Sequence, residues 1–163
     1  MLRRLLVLFF LFSFSPKVLA IPFDQVPNPQ SEAGRYVQDS GGVLSPDYEN
    51  LIDNISVYLE GLTSAEMAVV TVDHLEHYEV KDYAQKLAER WGVGKKKAKN
   101  GLIILLSRED RKVAIQVGYG LEEIITDAAS GQLLDQWAVP YLRENKNGRG
   151  LYELAKAPAQ KVA

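Results

Sequence analysis

Two apolar segments separated by an amphipathic one constrain the fold of this chain more than any other feature. Residues 66–72 and 101–107 are apolar at both odd and even positions, which is typical of strands covered on both faces of a sheet. Between them, residues 80–91 carry apolar side chains at intervals of three and four, which predicts a helix with one buried face. A strand–helix–strand unit of this kind favours a right-handed parallel crossover.

The segments beside this unit add two strands and a helix. Residues 112–117 alternate partially between polar and apolar side chains after a short polar connection, so they are predicted to pair antiparallel with the second buried strand. A short extended piece is predicted near residues 36–37, before the glycine turn at 39–42. Ser45 followed by Pro46 marks a helix start. The apolar spacing predicts that this helix buries one face, formed by Leu51, Ile55, Leu59 and Leu62.

Two further helices are predicted in the last third of the chain. Thr126 is a suitable N-cap for the first, and Pro140 is expected to break or kink it. The second covers residues 151–157, after a turn at 147–150, and is expected to end at Pro158. The predicted fold class is therefore α/β, with a mixed β-sheet of about four strands sandwiched between α-helices.

The first twenty residues have the layout of a secretory signal peptide. A basic start precedes an apolar run at 5–14 and small residues at 18–20, and the run is too short to span a bilayer comfortably. The alternative is an uncleaved anchor. We therefore predict a signal peptide at 1–20, an extended, proline-rich linker at 21–35 and one domain at 36–163. The mature chain is expected to be periplasmic or secreted and to have no transmembrane segment.

The charge of the mature chain limits its partners. Residues 1–20 hold three of the 19 basic residues and none of the 21 acidic ones, so their removal leaves 16 basic and 21 acidic side chains, a formal charge of −5. This balance argues against nucleic acid and favours a cation or a basic partner. The chain has no cysteine, so an exported domain depends on its core or on bound ions for stability.

Acidic residues are concentrated directly after a glycine turn. Gly118 and Gly120 follow the last predicted strand, and Glu122, Glu123 and Asp127 come next. Carboxylates this close repel one another unless a cation lies among them, which predicts a divalent cation. Calcium fits best, because it takes about six to eight oxygen ligands from carboxylates, carbonyls and water. Glu122 and Asp127 are the first ligands, and Gly118 or Gly120 would supply carbonyls. The alternative is a helix-start acid at Asp127 and a solvated surface at the glutamates.

Other kinds of site are weakly indicated. The Gly118-x-Gly120 pair suggests dinucleotide binding, but Glu123 stands where the third glycine would be and repels pyrophosphate. His74 and His77 have a spacing that zinc accepts, yet they fall in a polar connection, where surface histidines are the more common explanation. The lysines of residues 95–99 favour a solvated loop over an anion-steering one.

Five motifs resemble, in order, those of one known family: VQDSGGVLS (37–45), YA (83–84) with WGVG (91–94), NGLIIL (100–105), GYGLE (118–122) and TDA (126–128). The resemblance extends from about residue 37 to the C-terminus and implies membership of the TPM domain family. It implies a mixed sheet between helices in exported or lumenal domains of bacteria and chloroplasts, with the thylakoid lumen as the compartment in a photosynthetic source. It also implies calcium in some members, a phosphatase activity proposed for some, and a place for Asp39 in the ligand set.

Two functions follow from these observations. The first is an exported module that binds a divalent cation and acts as an accessory to a membrane-associated protein partner. The alternative is a metal-dependent phosphatase, a weak acid phosphatase that hydrolyses phosphomonoesters. The sequence identifies no catalytic residue: it offers no convincing nucleophile and no arginine clamp, and Arg111 is the nearest candidate for a phosphate contact. The module is the preferred expectation.

Overall fold

A four-stranded mixed sheet forms the centre of the domain in the computed structural model, which describes residues 21–163. The predicted signal peptide at 1–20 lies outside the described residues. The strands are β1 (Val37–Asp39), β2 (Glu66–Val72), β3 (Gly101–Ser107) and β4 (Lys112–Val117). They lie in chain order; β1, β2 and β3 are parallel, and β4 is antiparallel to β3. The predicted mixed α/β sheet of four strands is confirmed.

Helices cover both faces of the sheet. The alternation of side chains along β2 and β3 divides the core into two clusters, one against helix α3 (Val80–Trp91) and one against helices α2 (Pro46–Thr63) and α6 (Asn147–Val162). No helix between residues 21 and 163 combines the length and the apolar composition that a bilayer crossing requires. The helices are α1 (Pro29–Ala33), α2 (Pro46–Thr63), α3 (Val80–Trp91), α4 (Asp127–Leu133), α5 (Val139–Arg143) and α6 (Asn147–Val162), with a 3₁₀ turn at Tyr119–Leu121 and a π-helical turn at Leu134–Ala138.

Helix α2 is buried along a different stripe from the predicted one. It begins as expected, because the Ser45 hydroxyl accepts a hydrogen bond from the Tyr48 backbone N–H. Ile52 and Leu59 are fully buried, but Leu51 is 43% exposed and Leu62 is 57% exposed. The prediction that Leu51 and Leu62 lie on the buried face was therefore wrong. The helix carries two apolar stripes, and only one of them faces the sheet.

The regular helix is interrupted before Pro140, as predicted: a π-helical turn separates α4 from α5, and Pro140 occupies the first turn of α5, where its missing N–H costs least. The boundary predicted at Pro158 was wrong. Pro158 lies inside α6, which continues to Val162. Leu154, Ala155 and Pro158 are buried, so packing offsets the hydrogen bond that the proline removes.

The segment predicted as a turn at residues 147–150 is the first turn of α6. Its two glycines serve close packing. A Cβ atom at Gly148 would lie 2.6 Å from the Tyr48 ring, and one at Gly150 would lie 3.2 Å from the Tyr141 Cβ. Helix α6 can therefore approach α2 and α5 closely at this end.

The segment before β1 is folded against α3, in contrast to the extended linker predicted for residues 21–35. Helix α1 interrupts it, and Val26 is fully buried. The Arg90 guanidinium donates a hydrogen bond to the Val26 carbonyl at 2.6 Å. The Phe23 ring packs edge-on against Tyr78 at 5.6 Å between ring centroids. This lead-in therefore contributes to the core on the α3 face.

A charged network closes the end of the sheet where β2 and β3 begin. Lys95 Nζ lies 2.7 Å from Glu60 Oε1 and 2.5 Å from Glu66 Oε1, and Glu60 also accepts a hydrogen bond from the Tyr36 hydroxyl. Glu66 is buried and accepts a second hydrogen bond from the Gly94 N–H at 2.7 Å. Lys95 is therefore fixed by two carboxylates, in contrast to the solvated loop predicted for it.

This network is expected to make stability depend on acid pH. The hydrogen bond from Lys95, with that from Tyr36, holds the pKa of the Glu60 carboxyl below its ordinary value. The unfolded chain therefore binds a proton at Glu60 more readily, so the stabilisation is complete above the ordinary glutamate pKa and is lost as the pH falls towards the lowered one. We expect Glu60→Gln to cost about 1 kcal/mol or less at neutral pH. Urea unfolding across the acid range should show a shallower pH dependence for this variant, and an unchanged slope would contradict the assignment.

Candidate functional site

Asp39, the ligand implied by the family resemblance, holds together the loop after β1. Its Oδ1 accepts a hydrogen bond from the Val43 N–H at 3.1 Å, and its Oδ2 accepts one from the Leu44 N–H at 2.9 Å. The buried Thr71 hydroxyl donates a third. These bonds occupy both carboxylate oxygens and fix the glycine turn at 41–42. The position of Asp39 is thus explained by the loop alone.

The structure separates Asp39 from the other predicted ligands. Asp39 ends β1 at one side of the sheet, and Gly118 follows β4 at the other side, three strand spacings or about 14 Å away. Because β4 runs antiparallel, Gly118 also lies beside Gly101 at the opposite end, about 17 Å further along the strands. Asp39 therefore cannot share one ion with Glu122 and Asp127, and the grouping of these three residues was wrong.

The Gly118-x-Gly120 turn packs tightly on the chain before β3. The Gly118 N–H donates to the Gly101 carbonyl at 2.8 Å, and the Gly120 N–H donates to the Lys99 carbonyl at 3.0 Å. A Cβ atom at Gly120 would lie 1.9 Å from the Ala98 carbonyl oxygen. Neither glycine has a positive φ, so the turn needs glycine for space and not for backbone conformation.

Glu122 and Asp127 do share a cavity, which we call the acidic groove. It has a volume of about 450 Å³, lies beside β4 and α3, and is also lined by Asp82, whereas Glu123 lies outside it. The single basic residue among its lining residues is Lys81, whose Nζ is 2.9 Å from Asp127 Oδ1. The side-chain amides of Gln85 and Gln116 provide two further oxygen atoms that can serve as metal ligands.

The carboxylate and amide oxygens of the acidic groove are ligands that a hard cation prefers, but they are not close enough together to enclose an ion. In the part of the chain that the structure describes, no three Asp, Glu or His side chains come close enough to hold a metal ion as they stand. The Asp127 side chain is 93% exposed. Any ion bound here would keep several water ligands, as hydrated cations do at weak sites.

The two histidines contribute to separate contacts. His74 Nδ1 lies 3.7 Å from Asp110 Oδ1, and the His77 ring stacks on Tyr78 at 4.1 Å between centroids. Asp110 also accepts hydrogen bonds from the Ser107 hydroxyl and the Leu75 N–H. These bonds fix the connection after β2.

A second cavity, which we call the arginine cleft, lies at the other end of the sheet. It has a volume of about 350 Å³ and is lined by Arg108, Arg111 and Arg143. Arg108 and Arg111 flank the β3–β4 hairpin turn, and Arg143 ends α5. Sequence reasoning singled out Arg111 alone, because nothing in the local pattern relates it to an arginine more than thirty residues later.

A third cavity, about 600 Å³ in volume, is apolar and lies between α2 and α6. The exposed stripe of α2 forms one wall, with Leu51 and Tyr58, and Tyr152 of α6 forms part of the other. Tyr58 is 65% exposed. We call this surface the α2/α6 groove.

Comparison with known proteins gives a consistent result along most of the chain. A family model described as the TPM domain matches residues 37–161. The solution NMR structure of the N-terminal domain of a protein from P. gingivalis is 30% identical, covers 88% of this chain and 92% of its own, and superimposes with a TM-score of 0.81. No protein in the curated set matches the chain significantly.

Two more distant structures share the fold. The N-terminal domain of the cg2496 protein from Corynebacterium glutamicum is 19% identical, with a TM-score of 0.64 over 80% of this chain and 82% of its own. The BA42 protein from Bizionia argentinensis is also 19% identical, with a TM-score of 0.63 over 74% of this chain and 81% of its own. At this identity the likeness concerns the fold alone.

Proposed function

The chain belongs to the TPM domain family, and from this premise we propose that it is an exported module that binds a divalent cation, calcium, at the acidic groove and serves a membrane-associated protein partner. The leader-like layout of residues 1–20 and the family resemblance support export. The observation that carries the cation is the acidic groove itself. Three carboxylates and two amide oxygens surround a cavity that has one lysine.

The expected affinity is modest. The donors are oxygens, which calcium prefers, but they are spread over a helix and a loop and one of them is paired with Lys81. A calcium ion must displace Lys81 from Asp127 and keep part of its water shell. The dissociation constant is therefore expected in the range of extracellular calcium modules, about 10⁻⁴ to 10⁻³ M.

The alternative, a metal-dependent phosphatase, has one observation in its favour and one against it. In favour is the arginine cleft, since arginines stabilise the charge of a transferring phosphoryl group. Against it is the position of the two cavities. Arg111 and Val113 line the cleft at the start of β4, whereas Gln116 and Val117 line the acidic groove at its end, so roughly 17 Å of strand separates Arg111 from Gln116. A metal ion and the arginines would therefore not reach the same phosphate, so we prefer the module.

The α2/α6 groove supports the part of the proposal that concerns a protein partner. Leu51, Tyr58 and Leu62 recur along one exposed stripe of α2, although burial of such side chains is favourable. Apolar surface that stays exposed in a contiguous patch commonly marks a protein partner. The membrane-associated nature of that partner is an expectation from the family resemblance.

Calcium titration of residues 21–163 tests the cation site. We expect a heat of binding by calorimetry, and an increase in the free energy of unfolding that reaches about 2.7 kcal/mol when calcium is at about 100 times its dissociation constant. Glu122→Gln and Asp127→Asn should each weaken calcium binding about tenfold or more. Glu123→Gln is the matched control, since it removes the same charge beside the groove and should change the affinity little.

Lys81→Gln provides a test with the opposite sign. Removal of the lysine releases the Asp127 carboxylate from its ion pair, so calcium binding should become tighter. Equal calcium affinities for the parent, Asp127→Asn and Lys81→Gln would contradict the site. Phosphomonoester hydrolysis that needs calcium, and that is lost in Glu122→Gln and Asp127→Asn while the fold is kept, would favour the phosphatase instead.

A further inference from the structure

The arginine cleft contains two guanidinium groups without a carboxylate partner. Arg108 is engaged: its Nη2 lies 2.7 Å from Asp73 Oδ1, its Nη1 donates to the Gly41 carbonyl at 3.0 Å, and its Nε donates to Glu109. Within residues 21–163, Arg111 and Arg143 form no ion pair. Two arginines that line one cavity repel each other, so the cleft favours an anion between them.

The start of α6 adds positive potential to the same cavity. Helix α6 has 16 residues, and no side chain caps its N-terminus. Its first residue, Asn147, lines the cleft. The first N–H groups of a helix lack partners within the helix, and they carry the positive end of its dipole. The cleft thus combines helix N–H donors with the two arginine side chains.

The backbone conformation at Arg111 favours glycine over a long side chain. Arg111 has a φ of 53° and so lies in the left-handed region, where glycine is the favoured residue. A glycine at this last residue of the β3–β4 turn would be less strained. The chain instead places an exposed, unpaired guanidinium there.

The rest of the lining is part polar and part apolar. Ser107, Glu109 and Asn145 form the polar part, and the Glu109 carboxylate is paired with Arg108 Nε at 3.0 Å. Val113, Val139 and Leu142 form the apolar part. A volume of about 350 Å³ falls at the lower end of the range for small-molecule pockets. The cleft therefore suits a ligand that has an anionic end and a small apolar body.

We propose that the arginine cleft is a binding site for a small organic oxyanion of two negative charges, of the phosphate or phosphonate type, whose charged end lies between Arg111 and Arg143 and whose apolar body contacts Val113 and Leu142. Two guanidinium groups and a helix terminus match a dianion better than a monocarboxylate. The site recognises the anion and is separate from the acidic groove, so its failure and the failure of calcium binding are distinguishable.

Titration with phenylphosphonate tests the proposal. This probe is not a phosphatase substrate, and at mildly alkaline pH it combines a dianion with an apolar ring. Heteronuclear NMR of residues 21–163 should show saturable shifts at Val113, Asn145 and Asn147. Inorganic phosphate should bind more weakly because it lacks the ring, and benzoate should bind more weakly because it carries one charge.

Substitutions distinguish specific binding in the arginine cleft from non-specific attraction of the anion to positive charge. Arg111→Gln and Arg143→Gln should each weaken phenylphosphonate binding about tenfold, as expected for loss of a charge-assisted hydrogen bond. Arg149→Gln is the matched control. This arginine lies in the first turn of α6, near the cleft, but its guanidinium stacks on the Tyr141 ring and faces the Glu153 carboxylate. Its removal should leave the affinity within about twofold, since a rim charge acts only through long-range electrostatics.

Arg111→Gly separates binding from folding. Glycine relieves the left-handed backbone, so the melting temperature should stay the same or rise while the affinity falls as in Arg111→Gln. The proposal is overturned if phenylphosphonate fails to bind, if benzoate binds equally well, or if all three arginine substitutions weaken binding equally. It is also overturned if the NMR shifts map to the acidic groove.

Discussion

Replacement of Gly120 by alanine should destabilise the domain by roughly 3 kcal/mol or more. The new Cβ atom would lie 1.9 Å from the Ala98 carbonyl oxygen and 3.2 Å from that of Lys99. Both neighbours are backbone, so relief requires the two chain segments to separate. Separation would break the hydrogen bond from the Gly120 N–H to Lys99. Urea unfolding monitored by circular dichroism measures the loss.

A second glycine serves as the control for this experiment. Gly131 lies in α4, is exposed, and has no atom within 4 Å of the position of an added Cβ. Gly131→Ala should leave the domain as stable or make it more stable by up to about 1 kcal/mol, because alanine is the better helix former. A Gly120→Ala variant as stable as the parent would show that the turn does not pack on residues 98–99. The effect should be the same with and without calcium, since the space argument involves no ion.

Removal of the Asp39 carboxylate is expected to have the second largest effect. Asp39→Ala leaves the Val43 N–H, the Leu44 N–H and the Thr71 hydroxyl without their acceptor, and Thr71 is fully buried. Unpaired buried donors cost about 1 to 3 kcal/mol, so we expect a loss of about 2 to 4 kcal/mol in total. Chemical unfolding and amide hydrogen exchange of residues 40–44 are the measurements.

Asp39→Asn distinguishes the hydrogen bonds from a metal role. Asparagine keeps one acceptor oxygen, so about half of the loss should return. If Asp39 instead acted by binding calcium, both variants would lose calcium affinity, and the parent would lose stability on chelation at the loop. Hydrogen exchange at residues 40–44 that responds to calcium would therefore contradict the structural role we assign.

The sequence predicted the sheet and α3 well, for a physical reason. Residues 66–72 and 101–107 are buried on both faces, and the helix between them alternates with the period of an amphipathic helix. These signals are local, so they can be read without knowledge of the rest of the fold. The buried stripe of α2 was predicted incorrectly because the helix has two apolar stripes, and only tertiary packing decides which one faces the sheet.

The candidate sites were predicted less well because they depend on chain direction. The family resemblance implied one ligand set made of Asp39 and the acids after Gly118. The β3–β4 hairpin reverses the chain, so Gly118 lies beside Gly101. The arginine cleft has no local signature either. It forms where a hairpin turn meets the junction between α5 and α6.

The position of α6 has a consequence for the order in which the domain can be completed. Helix α6 packs against α2 and covers one face of the sheet with Leu151, Leu154 and Ala155. A nascent chain that has emerged from the ribosome only as far as β4 carries every strand, yet that face of its sheet is covered by α2 without α6. Vectorial synthesis therefore delivers α6 after every strand, and the native core can form only once residues 147–162 are available.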